Sequence, residues 1–451
     1  MAFNENTRVK IPAILHLCRL GYQYISLSNH YWDLDTNIFT DIFEESILRI
    51  NPEIEQPEVK RLLENISLVL DNEDLGEAFY KMLTNTSGYK LIDFDQFSNN
   101  SFHVVTELTC KNGDEEFRPD ITLLINGMPL AFIEVKKPNN PEGILQERDR
   151  INTRFKNKKF RKFINISQIL VFSNNMEYDN DSLEPIQGAF YSSTSYANAS
   201  FNYFREEEKL DLETILVDED DILENFVLKD NNLSAIKYSP EFLTNKNPNS
   251  PTNRILTSLF CKDRISMILK YAIAYVVEET GMEKHIMRYP QLFATKAIER
   301  ELNAGTKKGI IWHTQGSGKT ALSYFNVNYL TDYFQKKDIV PKFYFIVDRI
   351  DLLNQAKKEF SSRGLIVHTV NSREELVKSF RTHQAVHNFS GQREITVVNI
   401  QKFENDSEPL KVSDYDINVQ RVYFLDEVHR SYNPTGSFLA NLYNSDRNAI
   451  L

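Results

Sequence analysis

Two acidic residues and a lysine interrupt a stretch of sequence that otherwise suits a buried β-hairpin. Residues 118–138 read RPDITLLINGMPLAFIEVKKP, in which two apolar runs flank an Asn-Gly pair typical of a tight turn. The interrupting residues are Asp120, Glu134 and Lys136. Because an unpaired buried charge destabilises a fold, the pattern predicts that the three charges act together at an exposed edge of the hairpin.

These residue types suit reactions at a phosphate group. Glu134 and Lys136 lie on one face of their strand, because side chains two residues apart point the same way. The carboxylates of Asp120 and Glu134 on a common face would repel each other unless a cation lies between them, and oxygen ligands favour Mg²⁺ or Mn²⁺. Such a metal lowers the pKa of a bound water, and Lys136 orients that water or supports the charge that develops at phosphorus. The alternative is a structural salt bridge between Lys136 and one acid.

The turn decides whether Asp120 joins the other two side chains. A two-residue loop over residues 126–127 would pair Asp120 with Ile133 and send its carboxylate to the face opposite Glu134. A three-residue loop over residues 126–128 would pair Asp120 with Glu134 instead. We therefore predict the three-residue loop, or a bulge that has the same effect.

A second set of residues suits phosphate binding. Residues 313–320 read HTQGSGKT and follow the apolar run GIIW, which is a predicted strand. A Gly-rich turn from a strand into a helix directs backbone N–H groups at one spot, where Lys319 can reach the β- and γ-phosphates of ATP and Thr320 can hold Mg²⁺. The predicted cofactor-binding residues of this loop are Thr314, Gln315, Gly316, Ser317, Gly318, Lys319 and Thr320.

A pair of carboxylates follows a later apolar strand. The run RVYFL ends in DEVH, which places Asp426 and Glu427 at the carboxyl end of a parallel strand, where α/β sheets bind ligands. Asp426 would coordinate Mg²⁺ through water, and Glu427 would orient or deprotonate the attacking water.

The segments around these residues predict an α/β fold in two parts. Residues 1–240 begin with helical periodicity and continue with strands that include the hairpin, which predicts a mixed sheet flanked by helices. Residues 241–255, rich in Asn, Pro, Ser and Thr, are the predicted linker. In residues 256–451 short apolar strands alternate with helices, which is typical of a parallel sheet covered on both faces.

Composition places the chain among ordinary globular proteins. Of its 451 residues, 41% are hydrophobic and 25% charged, and the net charge is −11. No stretch is long and apolar enough for a membrane span, so we expect a cytoplasmic protein. Its three cysteines stand far apart, which argues against a disulfide framework or a thiolate zinc site.

The second part of the chain resembles the first RecA-like lobe of superfamily 2 helicase-like motors. Such motors carry GSGKT and DExH motifs in this order. The resemblance implies that Gln291, in RYPQ, contacts the adenine base, and that VDRIDLLNQ at residues 347–355 and VVNIQKF at residues 397–403 follow strands that make DNA-backbone contacts. The last motif departs from the usual paired threonines by having Val398 and Asn399.

The first part resembles the PD-(D/E)xK nuclease core, since PD is followed thirteen residues later by ExK. The order of all these motifs resembles the restriction subunits of type I restriction-modification enzymes. That resemblance implies ATP-driven translocation of double-stranded DNA coupled to Mg²⁺-dependent endonuclease cleavage. It also implies a methyltransferase subunit and a specificity subunit as partners, and a second RecA-like lobe beyond Leu451. Without that lobe we expect these residues alone to hydrolyse little ATP.

Several alternatives stay open at this level. The chain could be a translocase or helicase whose N-terminal domain only binds DNA or partners, or a restriction enzyme with every activity in one chain. Glu44 or Glu45 could add a metal ligand or lie on a solvated helix face. The run at residues 148–162 carries eight Lys or Arg against one acid and could follow DNA phosphates or form a solvated helix. Gln146 precedes Arg150 where relatives often have Tyr, so Gln146 receives no catalytic role.

Overall fold

The structure is a computed structural model that describes residues 5–85, 87–138, 143–178, 187–314, 316–370, 375, 392–399, 419–426 and 448–451. It divides into two compact units. Unit 1 comprises Met1–Ile273 and Met282–Tyr289, and unit 2 comprises Ala274–Gly281 and Pro290–Leu451.

Unit 1 contains most of the helices of the described chain. Short irregular helices lie at Asn6–Lys10 (π) and at Phe97–Asn99, Lys158–Phe160 and Ser234–Ile236 (3₁₀). The α-helices are α1 (Ile11–Arg19), α2 (Thr40–Ile50), α3 (Gln56–Val69), α4 (Glu77–Thr84), α5 (Gly143–Phe155), α6 (Arg161–Ile166), α7 (Leu212–Ile215), α8 (Asp221–Asp230), α9 (Pro240–Asn245), α10 (Pro251–Phe260) and α11 (Lys262–Tyr271).

The strands of unit 1 form the predicted mixed sheet. They are β1 (Gln23–Tyr24), β2 (Phe102–Thr106), β3 (Cys110–Asn112), β4 (Glu115–Phe117), β5 (Ile121–Ile125), β6 (Met128–Val135), β7 (Ile169–Ser173), β8 (Ala189–Ser192) and β9 (Asn202–Tyr203). Seven of them form one sheet in the order β1-β2-β5-β6-β7-β8-β9, and β3 pairs with β4 separately. The β1–β2 and β6–β7 pairs are parallel, while β2–β5, β5–β6, β7–β8 and β8–β9 are antiparallel.

The β5–β6 hairpin has a two-residue turn and a bulge. Asn126 and Gly127 both have positive φ, 51° and 77°, as a tight hairpin turn requires. The register then shifts, leaving Leu130 as the extra residue. The pairs are Ile125 with Met128 and Leu124 with Pro129 before the shift, and Leu123 with Ala131, Thr122 with Phe132 and Ile121 with Ile133 after it. Continued by one position, that register sets Asp120 level with Glu134. The three-residue loop was therefore wrong, and the equivalent bulge is confirmed.

Buried hydrogen bonds explain why the chain keeps the short turn. Asn126 is fully buried, and its side chain accepts a hydrogen bond of 2.8 Å from the N–H of Ser101. Its amide nitrogen donates to the carbonyl of Leu91 and to the side chain of Asn100, both at 2.8 Å. These bonds satisfy a buried amide and stabilise the left-handed conformation that Asn tolerates better than most residues.

Unit 2 contains a parallel sheet, as the sequence predicts. Its helices are α12 (Tyr289–Asn303), α13 (Lys319–Gln335) and α14 (Ile350–Ser362). Two further strands, β10 (Ile273–Glu278) and β11 (Gly281–Ile286), belong to the stretch of sequence in which the chain leaves unit 1, returns to it and leaves it again. Strands β12 (Val340–Val347), β13 (Ile366–Val370), β14 (Glu394–Asn399) and β15 (Val419–Leu425) form a sheet in the order β13-β14-β12-β15. Every pairing in it is parallel.

Two segments differ from the sequence-based expectation. Residues 241–255, the predicted linker, contribute to α9 and α10 and belong to unit 1, where Phe242 and Ile255 are buried. The polar residues that suggested a linker lie in and between these two helices, of which α9 is capped by the side chain of Ser239. The predicted strand at residues 309–314 is not formed, and Ile310 and Trp312 are 83% and 88% exposed. In the part of the chain that is described, the N–H of Gly309 donates to the carbonyl of Leu451 at 2.9 Å, and the N–H of Leu451 donates to the carbonyl of Lys307 at 2.9 Å. These two backbone hydrogen bonds are too few for a strand.

Two general expectations can be compared with the structure. None of the helices in the described ranges is long and apolar enough to cross a membrane. Cys18, Cys110 and Cys261 are free and buried, as packing residues would be.

Candidate active sites

Asp120 lies immediately before β5, and the backbone of β6 holds its carboxylate. The N–H of Val135 donates a hydrogen bond of 2.9 Å to Oδ2 of Asp120. Nζ of Lys136 lies 3.9 Å from the same oxygen, and Nζ of Lys10 lies 3.9 Å from Oδ1. The Asp120 side chain is 18% exposed, so it lies at the rim of the site. The structure thus brings Asp120 and Lys136 together and adds Lys10.

Glu134 lies near the end of β6, between β5 and β7, and is 3% exposed. Burial raises its pKa well above the usual value, and the charges of Asp120 and Glu147 raise the pKa further. Two cations act against this shift, Arg154 and Lys136, and Nη1 of Arg154 lies 3.5 Å from Oε1 of Glu134. The site therefore opposes a negative charge on Glu134 unless a further cation is present.

Lys136 follows β6 and faces several carboxylates. Its Nζ lies 3.4 Å from Oε2 of Glu147, 3.9 Å from Asp120 and 4.0 Å from Oε2 of Glu5, and it donates to the carbonyl of Val135 at 3.0 Å. Burial lowers the pKa of Lys136, but the neighbouring carboxylates outweigh burial, so the pKa is raised. Lys136 is therefore a positively charged group that is aimed at the acidic pair.

Helix α5 contributes three charged residues that the sequence analysis did not assign. Glu147, Arg150 and Arg154 are spaced three and four residues apart, so they lie on one face of the helix. Nη1 of Arg150 lies 2.8 Å from Oε2 of Glu147, and Nη1 of Arg154 lies 3.8 Å from Oε1 of Glu147. This spacing could have revealed the face, but not the strand that it packs against. Nothing in the sequence pattern pointed to Glu5 or Lys10.

Other candidates lie elsewhere. Glu44 accepts a hydrogen bond of 2.5 Å from Gln56, and Glu45 is 81% exposed beside Arg49, as expected on a solvated helix face. Gln146 is exposed on α5.

The basic run at residues 148–162 is largely paired with acids of unit 1. Seven of its eight cations lie within 4.0 Å of a carboxylate. Among these pairs, Glu73 lies 2.6 Å from Arg161 and 3.3 Å from Lys158, and Glu115 lies 2.9 Å from Lys159. The run therefore carries less uncompensated positive charge than its sequence suggests.

The acidic pair could hold a divalent cation. Asp120 raises the pKa of Glu134 through charge repulsion, and a cation between the two would reverse that effect. Within the described ranges no group of three or more Asp, Glu, His or Cys side chains is arranged as a metal site, so the ion would depend on this pair, on water and on a bound phosphate.

The Gly-rich loop of unit 2, which the sequence predicts to bind phosphate, has the backbone conformation that its glycines allow. Gly316 and Gly318 have φ of 77° and 80°, in the left-handed region, and Gly318 caps the N-terminus of α13. Helix α13 begins at Lys319, so its first N–H groups and its dipole point toward the loop. The Ser317 hydroxyl is buried and, among the residues that the structure describes, has no hydrogen-bond partner. Gln315 lies outside the described residues.

Gln291 lies beside this loop. It is 3% exposed, and its amide nitrogen donates to the carbonyl of Gly318 at 2.9 Å and to that of Ser317 at 3.5 Å. The structure thus brings together Gln291 and the loop, although the two are far apart in sequence.

Asp426 follows β15 directly. Its N–H donates to the carbonyl of Ile346 in β12 at 3.0 Å, which places it at the carboxyl end of the parallel sheet. Glu427 lies outside the described residues, as do residues 400–403 of the VVNIQKF motif.

Comparisons with known proteins agree with this arrangement. Residues 2–179 match the family model described as type I restriction enzyme R protein N terminus, and residues 284–450 match that of the type III restriction enzyme res subunit. The second match indicates a helicase-like region and suggests nucleotide use.

Named relatives are also type I enzymes. A putative type I restriction enzyme MjaVIIP endonuclease subunit of Methanocaldococcus jannaschii is 29% identical over 70% of this chain and 27% of that protein. The SauCOLORF180P endonuclease subunit of Staphylococcus aureus (strain COL) is 24% identical over 96% of this chain and 40% of that protein. The HindI endonuclease subunit of Haemophilus influenzae is 23% identical over 88% of this chain and 36% of that protein. The chain thus spans less than half the length of these relatives.

The mixed-sheet unit with its acidic pair and the parallel-sheet unit with its Gly-rich loop fit one class of protein, a restriction-type nuclease domain followed by a helicase-like lobe. Together with the matches and the relatives, they support an R subunit of type I restriction enzymes with a helicase-like region.

Proposed function

We propose that this chain belongs to a type I site-specific deoxyribonuclease that cleaves double-stranded DNA and is driven along it by ATP hydrolysis. The observation that supports cleavage most is the register of the β5–β6 hairpin, which sets Asp120 level with Glu134 and beside Lys136. The cofactors are ATP and Mg²⁺. The partners are double-stranded DNA and the methyltransferase and specificity subunits of the restriction-modification complex.

In the nuclease site, Asp120 and Glu134 bind the metal and Lys136 acts on the phosphate. When it is bound, Mg²⁺ supplies positive charge at the phosphate and lowers the pKa of a water. The Lys136 ammonium orients that water or supports the negative charge that develops on the phosphate oxygens. The water oxygen would bond to phosphorus as the bond to the leaving sugar oxygen breaks, and the proton that the water loses would pass through solvent to that sugar oxygen.

In the motor site, the loop before α13 binds the phosphates of ATP. Lys319 contacts the β- and γ-phosphates, Thr320 and Asp426 hold Mg²⁺, and Glu427 orients the attacking water. The remaining contacts come from the loop residues Thr314, Gln315, Gly316, Ser317 and Gly318, and Gln291 contacts the adenine base. Gln291 also steadies the loop, because its amide is bonded to the Gly318 carbonyl.

The test uses the full-length chain assembled with its methyltransferase and specificity subunits on circular DNA. We expect Asp120→Ala and Lys136→Ala to abolish cleavage while DNA-stimulated ATPase persists. Lys137→Ala is the matched control, because Lys137 is the next residue and its side chain is exposed. Lys319→Ala should remove ATPase and, with it, cleavage that depends on translocation.

A rival function keeps the translocase and makes the charged cluster structural. The observation that favours it is that Lys136 lies within 4.0 Å of Glu5, Asp120 and Glu147, as a stabilising ion pair would. Wild-type cleavage by Lys136→Ala and Asp120→Ala, with ATPase intact, would establish the rival and reject the nuclease assignment.

A further inference from the structure

Glu147 has no role in the functions proposed so far, yet it is one of the most buried charged residues of unit 1. We propose that Glu147 is a positioning residue for the nuclease site, which fixes Lys136 directly and Glu134 through Arg154. The inference rests on the proposed nuclease function and adds to it a residue that lies outside the hairpin.

Glu147 is the nearest carboxylate to the lysine. Its Oε2 lies 3.4 Å from Nζ of Lys136, compared with 3.9 Å for Asp120 and 4.0 Å for Glu5. The Glu147 side chain is 1% exposed, whereas those of Asp120 and Glu5 are 18% and 29% exposed. The Glu147 carboxylate therefore holds the ammonium group from the buried side of the site, where the pair is shielded from water, and Asp120 holds it from the rim.

Helix α5 holds Glu147 itself in position. Arg150, one turn along the same face, lies 2.8 Å from Oε2 of Glu147 and therefore fixes the carboxylate. Arg154, a further turn along, lies 3.8 Å from Oε1 of Glu147 and 3.5 Å from Oε1 of Glu134. Glu147 thus links the two strand residues of the site to one rigid helix face.

One atom of this carboxylate points to a functional rather than a purely stabilising role. Among the residues that the structure describes, the buried Oε1 of Glu147 has no hydrogen-bond partner. A desolvated oxygen without a hydrogen bond destabilises a fold, so stability alone does not account for a carboxylate at this position.

The expected consequence concerns the rate of reaction rather than the binding of DNA. The Lys136 side chain is long and flexible, and without the Glu147 charge its ammonium group can turn toward Asp120 and Glu5 at the rim. Displacement of a charged group by about 1 Å slows chemistry roughly 100-fold in well-ordered sites. Binding of DNA depends on many other contacts, so KM for DNA should change little while kcat falls.

The test measures plasmid cleavage, DNA-stimulated ATPase and thermal unfolding in the assembled full-length enzyme. Glu147→Gln preserves size and removes the charge, and should lower kcat for cleavage roughly 10- to 100-fold with KM and ATPase unchanged. Glu147→Asp retains the charge and should recover most of the rate. Glu45→Gln, an exposed glutamate on α2, is the matched control and should behave as the wild type.

Two outcomes would overturn the inference. The first is a wild-type rate in Glu147→Gln while Asp120→Ala is inactive, which leaves the nuclease assignment in place. The second is an equal loss of cleavage in Glu147→Gln and Glu147→Asp with a lowered melting temperature, which would make Glu147 structural. Cleavage by Asp120→Ala would instead contradict the proposed function itself, so the two failures can be told apart.

Discussion

The backbone N–H of Val135 donates a hydrogen bond of 2.9 Å to the carboxylate of Asp120, across a separation of 15 residues. The bond joins the strand that carries Glu134 to the residue that precedes the neighbouring strand. A one-residue change of register would turn every side chain of the strand to the opposite face and break this bond. The geometry of the acidic pair therefore depends on the bulge in the β5–β6 hairpin.

The turn of this hairpin should tolerate no side chain at Gly127. A Cβ there would lie 2.6 Å from the carbonyl oxygen of Phe39 and 2.8 Å from the backbone nitrogen of Phe43, and φ is +77°. We expect Gly127→Ala to lower the free energy of unfolding by at least about 2 kcal/mol in urea denaturation followed by circular dichroism. Gly113→Ala is the matched control, because its φ is +64° and a Cβ there would have no other atom within 4 Å. This substitution should lower the free energy of unfolding by about 1 kcal/mol. An equal loss of unfolding free energy in the two variants would contradict the close packing of the turn.

Glu134 should be required for cleavage but not for stability. Burial and the charges of Asp120 and Glu147 raise its pKa, so its negative charge is unfavourable in the folded state. We expect Glu134→Gln to abolish cleavage and to leave the melting temperature at pH 7.5 unchanged or higher. Glu224→Gln is the control, because this glutamate is also buried but lies 2.6 Å from Lys246. Its substitution should lower stability by about 1 kcal/mol. A clear loss of stability in Glu134→Gln alone would contradict the electrostatic account.

His16 should make unit 1 sensitive to acid. Burial lowers its pKa to about 3, and its Nε2 lies 2.7 Å from the hydroxyl of Thr257. The unfolded chain binds a proton near pH 6.5 and the folded chain does not, so the stabilisation is complete above pH 6.5 and is lost as pH falls toward 3. The loss is about 1.4 kcal/mol per pH unit.

The measurement compares urea denaturation of the wild type and of His16→Gln between pH 7 and pH 4.5. Because Gln does not titrate, the advantage of the wild type should shrink steadily as the pH falls. A constant difference between the two proteins across that range would show that His16 does not cause the acid sensitivity.

Gln291 should affect nucleotide binding through the backbone of the loop. Its amide donates to the Gly318 carbonyl at 2.9 Å, where the loop enters α13. We expect Gln291→Glu to weaken ATP binding roughly tenfold, because a carboxylate would face that carbonyl and repel it. Gln335→Ala, at the exposed C-terminal end of α13, is the control. Titration calorimetry with a non-hydrolysable ATP analogue measures the affinity of each variant. Equal affinities of Gln291→Glu and Gln335→Ala would contradict the role of Gln291.

The sequence by itself determined the residue types, the classes of sheet and the two candidate sites. Alternating apolar residues and turn residues were enough to predict the β5–β6 hairpin. The alternation of strands with helices was enough to predict the parallel sheet, because both signals are local in the sequence. The sequence predicts either a three-residue loop or a bulge. It shows which strand register brings the charges together, but it does not show which backbone conformation produces that register.

Only the tertiary structure decided which distant charges meet. Lys10 and Glu147 reach the site from separate helices, and the contact of Gln291 with Gly318 joins segments that are far apart along the chain. The short turn depends on hydrogen bonds that Asn126 accepts from Ser101 and donates to Leu91 and Asn100, and residues 309–314 make too few backbone hydrogen bonds for a strand. Such contacts follow from packing between elements that are distant in sequence, and the periodicity of a single segment carries no information about them.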